Sequence, residues 1–175
     1  MRTATDLLTQ YAAYHRDRRN IVSHFIGVPM IVFAVGVLLT RPQFAVSGYM
    51  LTPAWIVFAF AAAWYLTRGS VVLGLATSAA VGILMALAHG TAAMSVAGWL
   101  AWGIGFFVVG WLIQFVGHWY EGKKPAFVDD LVGLLVGPMF VVAEALFMLG
   151  WNKRLLQEIE QRAGPTFLRD IARIA

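Results

Sequence analysis

Cysteine is absent from the 175-residue chain. Without thiols the protein can form no disulfide, no thiolate metal site and no thiol-based catalytic centre, so histidine and carboxylate must carry any metal chemistry. Charge is also scarce: 13% of the residues are charged and 60% are hydrophobic, whereas soluble domains carry about 25% charged residues. This balance indicates a protein whose solvent is largely the lipid bilayer.

The N-terminal residues lack the features of a signal peptide. Residues 2–20 are polar and charged throughout, with no short apolar core followed by a small-residue cleavage site. We therefore expect the first apolar segment to remain in the mature protein.

Five apolar runs follow, at residues 25–40, 51–66, 71–88, 96–119 and 131–151. Each is close to the roughly 17–25 residues that cross a bilayer as a helix. They lack the alternation of a membrane β-barrel. The sequence therefore predicts one all-α membrane domain over residues 1–175, a polytopic helical bundle (21–151) with four full spans and a broken or re-entrant fifth segment.

Both ends of the chain predict amphipathic helices at the membrane interface. Residues 1–20 carry one apolar stripe, and residues 152–175 carry two, separated by a Gly-Pro pair. The stripes consist of Leu7, Leu8, Tyr11 and Tyr14; of Leu155, Leu156 and Ile159; and of Phe167, Leu168, Ile171 and Ile174.

Basic residues predict the topology. Of the 13, four precede the first run and five follow the last, which favours both termini in the cytoplasm, at a bacterial inner membrane or an endoplasmic reticulum membrane. Four spans then leave only Arg41 outside. The fifth run must enter and leave on one side, with a break at Gly137 and Pro138; the alternative is a fifth full span with a proline kink. We assign the net charge of +4 to anionic lipid headgroups and expect no nucleic-acid partner.

The fourth run ends with a polar stripe. Gln114, His118 and Glu121 are spaced i, i+4 and i+7, so they share one face of an otherwise apolar helix. Ionisable groups at membrane depth are costly, which favours a functional role. The structural alternative is a helix–helix hydrogen bond with an interfacial carboxylate.

A second polar cluster, "YHRDRRNIVSHFIGVP", precedes the first run. His15 and His24 are nine residues apart and lie on opposite faces of a continuous helix, so the helix must break within residues 16–20 if the two are to converge. Asn20 is either the N-cap of the following helix or a site residue. Gly27 permits close helix packing.

Topology brings three of the four histidines together. His24 begins the first span and His118 ends the fourth, so both lie at the same membrane face, where His15 joins them. His89 ends the third span at the opposite face, and we do not expect it to be a ligand. Three imidazoles suit a divalent transition metal, iron or zinc, with open positions for a substrate.

With these residues assembled, the chain resembles the Mpo1-like family, membrane proteins associated with iron-dependent dioxygenation of 2-hydroxy fatty acids in α-oxidation. The first block, "YHRDRRNIVSHFIGVP", is similar to the family pattern of Tyr-His, Asn and His-x-x-Gly/Val-x-Pro. The second, "QFVGHWYEGKKPAFVDDLV", is similar to Gln-(Phe/Ile)-x-Gly-His, Glu, a basic pair with Pro-Ala, and Asp. Asp130 departs from the pattern, which has Asn after the motif aspartate, Asp129.

The resemblance implies an Fe(II) enzyme that uses O₂ and a 2-hydroxy fatty acid. It makes His15, His24 and His118 the candidate iron ligands and leaves His89 outside the motifs. Glu121 becomes a fourth ligand or a group that orients an imidazole, and we assign it to the catalytic machinery with Asn20. The candidate substrate-binding residues are Lys123, Lys124, Arg19 and Gln114.

Two other functions remain open from the sequence. One is a non-enzymatic lipid-binding or assembly protein with structural histidines. The other is a b-type haem protein with His24 and His118 as axial ligands. Glu144, in the fifth run, has no assigned role, and we expect it to have a hydrogen-bond partner because an unpaired buried carboxylate is costly.

Overall fold

Seven α-helices make up most of the chain in the computed structural model, which describes residues 2–171. The all-α prediction is therefore confirmed, apart from one small β-hairpin. In chain order the elements are α1 (Ala4–Ala12), α2 (Arg18–Leu38), β1 (Phe44–Val46), β2 (Tyr49–Leu51), α3 (Pro53–Leu66), α4 (Val71–His89), α5 (Val96–Glu121), a 3-10 turn (Ala126–Val128), α6 (Gly133–Met148) and α7 (Lys153–Ala163).

Three of these helices are long and apolar enough to cross a membrane within the part of the chain described: α2, α4 and α5, with 21, 19 and 26 residues. They indicate an integral membrane protein. Helices α3 and α6 are apolar but have only 14 and 16 residues. At 1.5 Å per residue they cover about 21 and 24 Å, less than the roughly 30 Å of a hydrocarbon core.

The central contact is the pair α2 and α5. A Cβ on Gly27 would lie 2.8 Å from the carbonyl oxygen of Gly110, and a Cβ on Gly110 would lie 3.0 Å from that of Gly27. The two backbones are thus in direct contact, as expected for small residues at a membrane helix interface. This close approach brings the start of α2 beside the end of α5.

Helix α1 begins with a capping box in which Thr3 and Asp6 bond each other's backbone N–H groups. Its apolar residues Leu7, Leu8 and Tyr11 are buried in the core shared with α6 and α7. The predicted stripe therefore faces protein.

Helix α6 runs without interruption through Gly137 and Pro138, so the predicted break there is wrong. Neighbouring helices can compensate for a proline within a membrane helix, and no hairpin is needed. Its first residue, Gly133, lines a cavity with His24, and its last, Met148, lies beside the first turns of α2. Asp130, just before α6, pairs with Arg2 at 2.7 Å, so the segment begins beside the start of α1 and ends beside the start of α2.

The C-terminal segment departs from the prediction of two helices. Helix α7 packs Leu155 and Ile159 into the core, but residues 164–170 are not helical. Instead the backbone N–H of Phe167 donates to Arg16 O at 2.9 Å, and the carbonyl of Phe167 accepts from Arg18 N at 3.0 Å. The second predicted helix is thus wrong over its described part, because pairing with residues 16–18 satisfies this backbone. Ile174 lies outside the described residues.

Candidate metal centre

The three histidines of the two sequence blocks meet in one buried cluster. His15 lies in the link between α1 and α2, His24 in the second turn of α2, and His118 in the last turn of α5. The ring centroid of His15 lies 4.3 Å from that of His24 and 4.9 Å from that of His118. The centroids of His24 and His118 are 5.3 Å apart. The helix does break between His15 and His24, as the sequence requires.

The orientation of two rings is fixed by backbone carbonyls. The Nδ1 of His15 donates to Tyr11 O at 2.6 Å, and the Nδ1 of His24 donates to Asn20 O at 2.8 Å. Because a carbonyl oxygen only accepts, each neutral ring carries its proton on Nδ1 and a lone pair on Nε2. These two Nε2 atoms are 3.0 Å apart.

Two facing lone pairs at this distance repel each other unless a cation or a proton lies between them. Imidazole nitrogens sit about 2.1 Å from a bound divalent metal, so two at a right angle are about 3.0 Å apart. One ligand atom from each of the three histidines lies within 4.8 Å of the others. The donor set, its spacing and the facing lone pairs fit a metal ion.

Aromatic packing holds His15 in place. The Tyr11 ring stacks on it with centroids 4.1 Å apart and planes 5° from parallel, and Phe140 lies 5.4 Å away. Burial lowers the pKa of His15 well below its ordinary value, and the nearby His24 and His118 lower it further. The imidazole is therefore neutral at pH 7, the form that binds metals.

Glu121 is buried and fixes the link that carries His15. Its carboxylate accepts hydrogen bonds from Arg16 N at 2.9 Å, from Asp17 N at 2.7 Å and from the Asn20 side-chain amide at 3.2 Å. Its oxygens are thus bound to backbone and amide N–H groups beside the cluster. The hydrogen bonds described for Glu121 reach no imidazole nitrogen, so it holds the backbone that carries His15 and does not bond a ring directly.

The N-cap of α2 is Asp17, so the predicted capping role of Asn20 is wrong. The Asp17 carboxylate accepts from Arg19 N at 2.9 Å. Burial alone would raise the pKa of Asp17, but hydrogen bonds from Arg19 and the Arg169 backbone outweigh it and lower that pKa below its usual value. Asn20 lies in the first turn, where its side chain donates to Tyr14 O at 3.1 Å.

Gln114 faces a small cavity next to the histidines. The cavity has a volume of about 60 Å³ and is lined by His24, His118 and Gln114 together with apolar residues. The Gln114 side chain is 3% exposed, and neither its oxygen nor its nitrogen has a hydrogen-bond partner in the described residues. A buried amide without partners calls for a polar ligand or water in the cavity.

The sequence of the chain matches a known protein family. The sequence profile of the family described as "Mpo1-like: 2-hydroxy-palmitic acid dioxygenase Mpo1-like" matches residues 1–149. The chain belongs to this family. It is similar to the 2-hydroxy-palmitic acid dioxygenase MPO1 of Saccharomyces cerevisiae, with 31% identity over 156 residues that cover 86% of the chain and 83% of the yeast protein. No solved structure matches the chain.

The matched region contains all three clustered histidines, Gln114 and Glu121. Arg169, whose backbone binds Asp17, lies beyond it. Asp17 and Tyr11 are contributors that the sequence reasoning missed. The N-cap preference for aspartate could have identified Asp17, and the i, i+4 spacing of Tyr11 and His15 could have identified their contact.

The predicted cationic residues lie near the cluster, and each is held by protein acceptors. Arg19 forms an ion pair with Asp17 at 2.7 Å. The Lys123 ammonium donates to Ala13 O at 2.6 Å, and that of Lys124 pairs with Asp129 at 2.5 Å.

The other two residues singled out from the sequence lie apart from the cluster. His89 is not part of it. Its Nε2 accepts from Thr52 Oγ1 at 3.0 Å, and its ring stacks on Trp55. Glu144 has an ion-pair partner, but not the hydrogen bond that we expected: one carboxylate oxygen lies 3.7 Å from the guanidinium of Arg16, too far for a hydrogen bond.

Proposed function

We propose that this protein is an Fe(II)-dependent membrane dioxygenase that converts a 2-hydroxy fatty acid to the fatty acid one carbon shorter. One observation carries the proposal: the Nε2 atoms of His15 and His24 face each other at 3.0 Å, with His118 beside them, in a member of the Mpo1-like family. The yeast relative's description as a 2-hydroxy-palmitic acid dioxygenase supports the substrate class.

The reaction balances without a co-reductant. R-CHOH-COOH and O₂ give R-COOH, CO₂ and H₂O: the bond between C1 and C2 breaks, and the substrate supplies all four electrons that reduce O₂. A bound Fe(II) would supply the activation of O₂ and a Lewis acid for the substrate's hydroxyl and carboxylate. No 2-oxoglutarate is required by this stoichiometry.

The residues of the chain hold and orient the reactants. His15, His24 and His118 would bind the iron, and the carbonyls that accept the Nδ1 protons of His15 and His24 keep the lone pairs of these two rings directed at it. Glu121 and Asn20 hold the His15 link in position. Tyr11 and Phe140 pack around His15 and exclude water.

Polar groups near the cluster recognise the substrate head group. Gln114 would hydrogen-bond a substrate oxygen, since its amide is buried and unpartnered beside His24 and His118. Arg19, Lys123 and Lys124 would attract the carboxylate by their field, and each also binds a protein acceptor that holds its charge in place.

We also propose four membrane crossings, by α2, α3, α4 and α5, with both termini in the cytoplasm and the metal centre at that face. The distribution of basic residues supports this orientation. The segment that contains α6 would begin and end on the cytoplasmic side without crossing, since Asp130 before the helix pairs with Arg2 at 2.7 Å and Glu144 within it lies 3.7 Å from Arg16. Trypsin accessibility of the C-terminal segment in sealed vesicles tests this topology.

The haem alternative fits poorly. The rings of His24 and His118 are only 5.3 Å apart, too close for a porphyrin between them, and the adjoining cavity of about 60 Å³ is much smaller than a porphyrin. A lipid-binding protein without enzymatic activity is the remaining alternative, and it predicts no bound metal.

The test is an oxygen-uptake assay on detergent-purified protein loaded anaerobically with Fe(II). With 2-hydroxypalmitate we expect O₂ consumption, CO₂ and pentadecanoic acid in equal amounts. Palmitate and 3-hydroxypalmitate serve as controls and should give no uptake. Stoichiometric iron without O₂ uptake on any 2-hydroxy acid would overturn the proposed reaction, and protein that binds no iron would favour the lipid-binding alternative.

A further inference from the structure

An apolar groove begins where the small cavity of the metal centre ends. Its volume is about 230 Å³, and its walls come from four sides: Ile31 and Val35 of α2, Ala61 of α3, Val81 and Met85 of α4, and Pro138 of α6. No charged residue lines it. An environment of this kind accepts a hydrocarbon and rejects a polar head group.

The groove and the cavity share part of their lining. Ile31 and Val32 of α2 and Leu134 and Pro138 of α6 line both. The two spaces are therefore adjacent, with the imidazoles of His24 and His118 and the amide of Gln114 at one end only. A single elongated ligand with one polar end matches this arrangement.

Helix α2 provides one wall along the whole path. His24, Val28, Val32, Val35 and Leu39 follow one another at helical spacing from the metal centre to the far end of the groove. Fifteen residues of helix correspond to about 22 Å. One leaflet of hydrocarbon is about 15 Å deep, so the path is long enough for the acyl chain of a membrane fatty acid.

One side of the groove is open towards the lipid. Val57 and Leu134, which line it, are 48% and 50% exposed. An amphiphile can thus move in sideways from the bilayer, where fatty acids partition. A wider groove of about 590 Å³ runs past Ile21, Phe25 and Met148, but it shares no described lining residue with the cavity of the metal centre.

We propose that the acyl chain of the substrate lies in the groove between α2, α3, α4 and α6, and that the residues lining its middle, led by Ala61, set the longest chain accepted. This assignment rests on the proposed function, since it takes the head group to be bound at the histidine cluster. The methyl group of Ala61 is the smallest side chain in the wall of the groove on α3. A larger side chain there narrows the groove, whose lining on α2 begins at Ile31, about 10 Å along the helix from His24.

The first test changes the width of the groove. Ala61→Phe should reduce kcat/KM for 2-hydroxypalmitate by roughly tenfold or more and leave that for an eight-carbon 2-hydroxy acid within about twofold, because lost methylene contacts are worth about tenfold or more in a hydrophobic pocket. The matched control is Ala63→Phe, the same substitution at an exposed position of α3. A second pair, Val81→Phe with exposed Val72→Phe, serves if Ala61→Phe does not fold.

An unchanged chain-length profile in both groove variants, each containing full iron, would overturn the assignment while leaving the proposed reaction intact. A shift in the control variants equal to that in the groove variants would overturn it as well.

The second test does not depend on turnover. A 2-hydroxy fatty acid with a diazirine at its methyl end is photolysed on iron-loaded wild-type protein without O₂, and the labelled peptides are identified by mass spectrometry. We expect labels on residues 57–65 of α3 and 81–85 of α4. Labels confined to Ile21, Phe25 or Met148 would overturn the assignment. Labels in the expected helices on a protein that shows no O₂ uptake would support the groove and refute the reaction.

Discussion

The histidines at the two ends of the helix bundle share the hydrogen bond that Nδ1 makes but differ in what faces Nε2. His15, His24 and His89 each donate from Nδ1 to the backbone carbonyl four residues earlier, at 2.6, 2.8 and 2.7 Å. The Nε2 of His89 accepts a hydrogen bond from Thr52 at 3.0 Å. The Nε2 atoms of His15 and His24 instead face each other at 3.0 Å.

This difference shows that an imidazole at membrane depth is not by itself a site. A histidine whose two nitrogens are both satisfied by the protein has a sufficient structural role. The end that contains His15 and His24 leaves two acceptors without a donor, and His118 adds a third ring. A metal ion bound there would satisfy the facing nitrogens together, and the proposed chemistry is therefore placed at that end.

The largest contrast should come from alanine substitutions at the two ends. We expect His24→Ala to reduce the iron content and the O₂ uptake on the order of a hundredfold or more, because it removes a proposed ligand. Residues that only support ligands typically contribute tenfold to hundredfold, and the loss of a ligand should cost more. His89→Ala should leave both within about twofold. Elemental analysis and oxygen uptake measure the two effects, and stoichiometric iron in His24→Ala would exclude it as a ligand.

Removal of the metal should destabilise the protein only through the histidine cluster. A ligand present at a hundredfold excess over its Kd stabilises the folded state by about 2.7 kcal/mol. A chelator should therefore lower the Tm of the wild-type protein and of His89→Ala alike. His24→Ala should not respond, and an equal response in that variant would place the stabilising metal elsewhere.

Glu121→Gln should weaken the centre without removing a ligand. The glutamine amide places an NH₂ group where the carboxylate now accepts from Arg16 and Asp17. We expect iron affinity to fall about tenfold to hundredfold and the Tm to fall with it. Exposed Glu158 on α7 provides the control, Glu158→Gln, which should change neither. Unchanged iron affinity would show that the link does not position His15.

The smallest effect should come from the opposite end. Thr52→Val keeps the shape of the side chain and removes the donor to His89 Nε2. We expect a loss of stability of about 1 kcal/mol, measured by urea or thermal unfolding in detergent, and no change in iron content. A loss of iron in this variant would contradict the separation of the two ends.

Much of the site could be predicted from the sequence. The predicted parity of the spans places His24 and His118 at one face, and the structure clusters these two residues with His15. The shared face of Gln114, His118 and Glu121 is also present, because helix periodicity is local. The separation of His89 follows from the same count of crossings.

Other features could not be predicted in this way. Helix α6 continues through Pro138, since a proline breaks a helix only where no neighbour compensates. Residues 44–51 form a β-hairpin, with Ser47 and Gly48 at positive φ. Residues 164–170 pair with residues 16–18 by backbone hydrogen bonds. A pairing between segments so far apart in the chain cannot be predicted from the hydrophobic periodicity of either one.

The sequence by itself determined that this protein belongs in a membrane, that it is helical and that three of its histidines can meet, because hydrophobicity and helical periodicity act over a few turns. Only the tertiary structure decided that Glu121, 105 residues from Arg16, binds the link rather than joining the cluster. Only the tertiary structure, too, decided that the Nε2 atoms of His15 and His24 lie 3.0 Å apart. Such distances depend on how closely α2 and α5 approach, and the packing of the whole bundle sets that approach.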